Sequence, residues 1–84
     1  MDSSNIMQIK IFSPYETFYE GETFSFSAQN ASGPFDILYD HTNFICLLLA
    51  GTVKLNTPYG KKHFDLSKGI LKVSNNNIVV FANV

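Results

Sequence analysis

Asp36, Asp40, His41 and Cys46 are the residues whose types and spacing come nearest to a reactive site. A cysteine beside a histidine can form an activated nucleophile, and a carboxylate can orient the imidazole. Catalytic partners must meet in space, however, and sequence proximity does not bring that about. Cys46 lies inside the apolar run Phe44-Ile45-Cys46-Leu47-Leu48-Leu49, where a free cysteine packs as a small hydrophobe. His41 sits between Asp40 and Thr42 in a polar connection and reads as a turn or interface residue rather than a general base. No catalytic residue is assigned, and the chain is read as non-catalytic.

The remaining chemistry-bearing residues are equally dispersed. His41 and His63, one cysteine and scattered carboxylates match no zinc or calcium spacing. Glu16, Glu20 and Glu22 flank a glycine and read as solvated strand ends, not as a paired acid and base. Neither the phosphate-loop pattern nor the dinucleotide fingerprint occurs. The expectation is therefore no metal, no cofactor and no ATP binding by a recognised motif.

Charge narrows the partners. Six Lys plus Arg stand against seven Asp plus Glu, for a net charge of −1, and every one of these cations is a lysine. Nucleic acid needs clustered cations along its backbone, and arginine's bidentate clamp is missing, so nucleic acid is not expected as a partner. Eight Phe and four Tyr have no basic groove beside them on which bases would stack; core packing or a protein interface accounts for them better. The single cysteine has no intrachain partner, which suits a reducing compartment. With no signal-like start and no apolar stretch of roughly 18 residues, the chain is expected to be cytosolic, without a direct lipid anchor.

The elements that would position these residues are strands. Eighty-four residues hold one domain, 1–84, with one modest core. Short apolar stretches alternate with Gly, Pro and Asn clusters, the punctuation of antiparallel β structure. Thr23-Phe24-Ser25-Phe26-Ser27-Ala28 has the period-2 alternation of a half-buried strand. The expected strands are 6–12, 16–20, 23–28, 35–38, 44–49, 52–57, 61–66, 70–74 and 78–83. Glu20-Gly21-Glu22, Pro58-Tyr59-Gly60, Lys68-Gly69 and Asn75-Asn76-Asn77 supply the turns. Phe44 to Leu49 reads as a strand buried on both faces. The fold class is all-β: a small antiparallel β-sandwich of about ten short strands.

Three stretches carry a family resemblance. Ile9-Lys10-Ile11-Phe12-Ser13-Pro14 leading into Phe18-Tyr19-Glu20-Gly21-Glu22 looks like the opening of the epsilon subunit of the F-type ATP synthase. Gly33-Pro34-Phe35-Asp36-Ile37-Leu38-Tyr39-Asp40-His41 is similar to that family's glycine, acidic, apolar and histidine segment. Ser67-Lys68-Gly69-Ile70-Leu71-Lys72-Val73, with the Asn turn and the strand after it, resembles the family's Ser-Gly-Gly stretch and is the most specific of the three. Pro34 stands where glutamate is common, Tyr39-Asp40 where Pro-Gly is, Thr42-Asn43 where Ala-Pro is, and Lys68 where glycine is.

The resemblance implies the N-terminal β-sandwich of a central-stalk subunit, peripheral on the cytoplasmic side of the cell membrane. Such a subunit couples the gamma subunit to the polar loops of the c-ring during proton- or sodium-driven ATP synthesis. Ser13, Phe44, Cys46 and Ser67 are the expected gamma contacts. Asn30, Ser32, Gly33, Pro34, Asp36, Asp40 and His41 are the expected c-ring contacts. The sequence ends at Val84, before the family's inhibitory C-terminal helices, so coupling without inhibition of ATP hydrolysis is expected. A free-standing β-sandwich adaptor is the alternative.

Overall fold

The computed structural model describes residues 5–82. Nine strands follow one another: β1 Met7–Phe12, β2 Thr17–Thr23, β3 Ser25–Asn30, β4 Gly33–Leu38, β5 Phe44–Leu48, β6 Gly51–Thr57, β7 Gly60–Leu66, β8 Gly69–Ser74 and β9 Asn77–Ala82. They form a five-stranded sheet in the order β2-β1-β9-β8-β5 and a four-stranded sheet in the order β4-β3-β6-β7. The described residues thus hold nine strands, against the about ten expected. Residue 83 of the last expected strand lies outside them.

Alternation builds both layers. In β1 the inward residues Met7, Ile9 and Ile11 are buried, while the residues between them are exposed or half-buried. Leu71 and Val73 of β8, and Ile78, Val80 and Ala82 of β9, complete the inner face of the five-stranded sheet. Phe26, Ile37, Val53, Leu55 and Leu66 oppose them from the other sheet. Fully burying one such side chain stabilises the fold by about 1.5–3 kcal/mol, so this two-sided core is what holds the sandwich shut. Its buried hydroxyls are satisfied. Thr23 Oγ1 donates to the Ser25 carbonyl at 2.6 Å, and Thr57 Oγ1 donates to the Gly60 carbonyl at 2.7 Å.

One pair departs from the all-antiparallel expectation. β1 runs parallel to β9, with Ile9 beside Ile78 and Ile11 beside Val80. The first and last strands meet at the centre of their sheet, and because the whole domain lies between them, no tight turn dictates antiparallel pairing.

Gly21 is a second departure. It does not turn a hairpin but lies inside β2 opposite Ile9. The Tyr19 ring folds over it, so that a Cβ there would stand 3.3 Å from the tyrosine hydroxyl, and that hydroxyl donates to the Glu22 carbonyl at 2.8 Å. The chain changes sheets at Phe24 instead, whose N–H donates to the Asn56 carbonyl at 2.7 Å. The Asn turn matches expectation: Asn75 and Asn76 have φ of 51° and 62°, the left-handed pair that a two-residue hairpin requires.

The strand at Phe44 to Leu48 is the third. It is an edge strand, paired only with β8, and it is not buried on both faces. Ile45 and Leu47 are 68% and 70% exposed, because no layer covers the outer side of the five-stranded sheet.

Candidate functional site

The two outer faces of the sandwich differ in chemistry. On the four-stranded sheet the outward residues are mostly polar, with Leu38 the apolar exception. Ser27 donates to the Asp36 carboxylate at 2.6 Å across β3 and β4, and Thr52 donates to Asp65 at 2.6 Å across β6 and β7. Lys54 stands beside Ser27 on one side and His63 on the other. Such a face needs nothing to cover it.

The outer face of the five-stranded sheet is apolar where four strands line up. Register places Phe12 beside Phe81, Phe81 beside Ile70 and Ile70 beside Leu47, a continuous row. Phe12 and Phe81 meet edge to face with ring centroids 5.2 Å apart. The next row carries Lys10, Val79, Lys72 and Ile45, and the Lys10 ammonium lies 5.0 Å from the Phe12 ring centroid. Between β5, β8 and β9 the surface forms an open groove of about 750 Å³, with Leu47, Leu49, Ile70 and Phe81 on its walls and Ser67 and Lys68 at its rim. A large apolar patch rimmed by polar residues is the signature of a docking surface.

The expected gamma contacts distribute unevenly over this face. Phe44 and Cys46 alternate with the exposed residues of β5 and are half-buried; Phe44 packs its ring on Phe35. They lie on the inner side of β5, while Ile45 and Leu47 lie on the apolar outer face. Ser13 is buried, and its hydroxyl accepts the N–H groups of Tyr15 and Glu16, each at 3.2 Å, in the turn between β1 and β2. Ser67 is exposed at the groove's rim.

The expected c-ring contacts do not share one end of the molecule. The Asn30–Gly33 turn lies at the end where β5 passes to β6, fastened by the Leu49 N–H donating to the Gln29 carbonyl at 3.0 Å. Asn30 and Ser32 form an Asx turn there, the Ser32 N–H donating to Asn30 Oδ1 at 2.9 Å. Pro34 follows on β4. Asp40 and His41 lie at the opposite end, where β4 passes to β5. The Asp40 N–H donates to Asn76 Oδ1 at 2.7 Å, and the Asn75 N–H donates to Asn43 Oδ1 at 2.9 Å, so this loop is clasped to the β8–β9 turn. Asp36 stands between the two ends, on the polar face. Neighbours in sequence are separated here because β4 carries the chain from one end to the other.

The reactive cluster does not assemble either. His41 Nδ1 lies 2.8 Å from the Thr42 carbonyl, to which a ring N–H donates, and its ring rests on Phe44 with centroids 5.0 Å apart. No hydrogen bond joins His41 to Cys46 among the described residues. Among those residues no group of three His, Cys, Asp or Glu is placed to hold a metal ion, and no helix is long and apolar enough to cross a membrane.

The sequence profile of the family described as "ATP synthase, Delta/Epsilon chain, beta-sandwich domain" matches residues 6–84. The chain belongs to this family. An ATP synthase epsilon chain from Clostridium novyi (strain NT) is 36% identical to this delta/epsilon-family chain over 77 residues, covering 90% of it and 59% of the relative. One from Helicobacter pylori (strain P12) is 32% identical over 78 residues, covering 93% and 63%. The chain therefore spans about 60% of the length of these curated relatives. The sandwich fold recurs in a chain of the Tetrahymena thermophila mitochondrial ATP synthase central stalk and c-ring structure, with TM-score 0.80, 15% identity, and coverage of 93% of this chain and 63% of that one. It recurs also in the Euglena gracilis mitochondrial ATP synthase, with TM-score 0.84, 14% identity, and coverage of 98% and 52%.

The Phe44 to Leu49 strand was singled out from the sequence; the residues of this face that sequence reasoning missed are Phe12, Ile70, Val79 and Phe81. Their signal was present in Ile78-Val79-Val80-Phe81 and Ile70-Leu71, strands apolar on both faces. A both-faces-apolar strand reads equally well as doubly buried or as half-buried beneath a partner.

Proposed function

We infer that this delta/epsilon-family sandwich is a non-catalytic central-stalk subunit of the F-type ATP synthase. It attaches to the gamma subunit through the outer face of its five-stranded sheet and meets the polar loops of the c-ring with one end, coupling the two during ion-driven ATP synthesis. In this role it is peripheral on the cytoplasmic side of the membrane. The observation that carries the reading is the row Phe12, Phe81, Ile70 and Leu47, apolar surface beyond what the domain's own core uses. Interface centres are built of such desolvated aromatic and aliphatic anchors.

Support for the partners comes from the relatives' names and from the central-stalk and c-ring setting of a similar fold. For the c-ring end, the Asn30–Gly33 turn is the better candidate. It is short and polar and carries the exposed Ser32, whereas Asp40 and Asn43 are already engaged in clasping the other end.

The test is capture of purified gamma by the chain. Ile70→Lys places an unpaired charge at the centre of the row and abolishes capture, because desolvating it is costly. Lys54→Glu on the polar face leaves capture unchanged. Equal effects of the two substitutions, or capture of neither gamma nor c-ring by the unaltered chain, overturn the assignment in favour of a free-standing adaptor.

A further inference from the structure

The outer face of the five-stranded sheet is graded along its strands. The row Phe12, Phe81, Ile70 and Leu47 is wholly apolar. Two residues further along each strand, a step of about 7 Å, Lys10, Val79, Lys72 and Ile45 stand side by side, so that cations and apolar residues alternate. A second such step brings Gln8, Asn77 and Ser74, and the face is polar. The lysine row is therefore the boundary of the apolar patch. A partner that covers the first row alone leaves Val79 and Ile45 in water; one that covers both rows takes the two ammonium groups into its footprint.

Neither lysine is neutralised within the chain. Among the described residues no ion pair engages Lys10 or Lys72, although Glu20 stands opposite Lys10 across β1 and β2. Lys72 is exposed on β8 and has Val79 on one side and Ile45 on the other, with no carboxylate beside it. A lysine at a rim commonly escapes burial by reaching its ammonium out to water. Lys10 does the reverse: half-buried, it holds its ammonium over the Phe12 ring, 5.0 Å from the centroid. Whatever covers Phe12 therefore covers this charge as well. Taking an ammonium out of water is costly unless the other surface supplies a counter-charge, and among protein side chains a carboxylate supplies it.

We propose that Lys10 and Lys72 set the specificity of this face: the gamma surface that docks on it presents a carboxylate to each, beside an apolar strip that covers the first row. This deepens the gamma assignment and rests on it. Lys10 is tied to Phe12 and stands two strand spacings from Lys72, about 10 Å, so two separate carboxylates meet them. The apolar row contributes area that any apolar surface could match. The lysines reject a surface that lacks acids there or brings cations of its own.

Titration calorimetry of purified gamma against the unaltered chain and its variants, at about 0.05 M and about 0.5 M salt, tests it. At low salt Lys10→Gln and Lys72→Gln each weaken binding about tenfold, and Lys72→Glu about a hundredfold. High salt weakens binding of the unaltered chain and narrows its lead over the glutamine variants. Among single Asp→Lys and Glu→Lys replacements on gamma, at least one restores binding of the Lys72→Glu chain while weakening that of the unaltered chain. A chain that binds gamma undiminished with both lysines replaced by glutamine overturns the proposal and leaves the gamma assignment standing. So does a loss that no reversed carboxylate of gamma rescues. An unaltered chain that binds no gamma overturns both. Should Lys10→Gln fail to fold, the exposed Lys72 and its rescue decide alone.

Discussion

Phe81 stands edge-on against Phe12, ring centroids 5.2 Å apart and planes at 68°, on the side of the sheet that faces away from the core. Two aromatic rings joined across parallel strands on an uncovered surface are the clearest mark that this sandwich has an apolar face to spare. A test follows directly. Phe81→Ala should lower unfolding stability by about 2–3 kcal/mol, from the lost burial of a ring only 36% exposed together with its aromatic pair contact, while capture of gamma falls well beyond that. Parallel urea unfolding and binding measurements separate the two, and a binding loss no larger than the stability loss would assign the pair to folding alone.

Phe26 is the largest fully buried side chain and lies at the centre of the four-stranded sheet's inner face. Phe26→Ala should cost about 3–5 kcal/mol, a large share of the margin of so small a domain. Cooperative thermal unfolding should be largely lost by near-UV circular dichroism. A transition close to the unaltered chain's would mean that the two layers are not held by this core.

Gly69 opens β8 where a Cβ would stand 2.7 Å from the Phe81 carbonyl oxygen. The obstacle is backbone and cannot swing aside. Gly69→Ala should destabilise the domain by about 1–3 kcal/mol through a shift of β8 from β9, measured as a lower urea midpoint at unchanged slope. Neutrality would show that the two strands are not so closely drawn together.

Asn76 both adopts φ 62° and accepts the Asp40 N–H at 2.7 Å. Asn76→Gly keeps the backbone freedom and loses only the clasp, whereas Asn76→Ala loses both. The alanine variant should therefore be the less stable of the two, by about 1 kcal/mol, and amide exchange at Asp40 should speed up in both. Equal stability of the two would mean that the turn does not depend on its left-handed geometry.

The amino-acid sequence by itself determined most of the strands, the Asn turn and the all-β class. Alternation and turn chemistry are local, and each is written in a few neighbouring residues, as in Thr23 to Ala28 and Asn75 to Asn77. Gly21 misled because a glycine permits a turn without requiring one; β2 runs on through it, paired with Ile9 and lying beside the Tyr19 ring. Phe44 to Leu49 misled because apolar residues on both faces do not reveal whether a second layer or another molecule covers the outer one. Sheet order decided that. Only when β5 falls at an edge, and Phe12, Phe81, Ile70 and Leu47 fall in register across strands that are far apart in the chain, does the surface become a single face. Only the path of β4 sends Asn30 and Asp40 to opposite ends. These relations are non-local, set by which strands pair and in what register, and no window of sequence contains them.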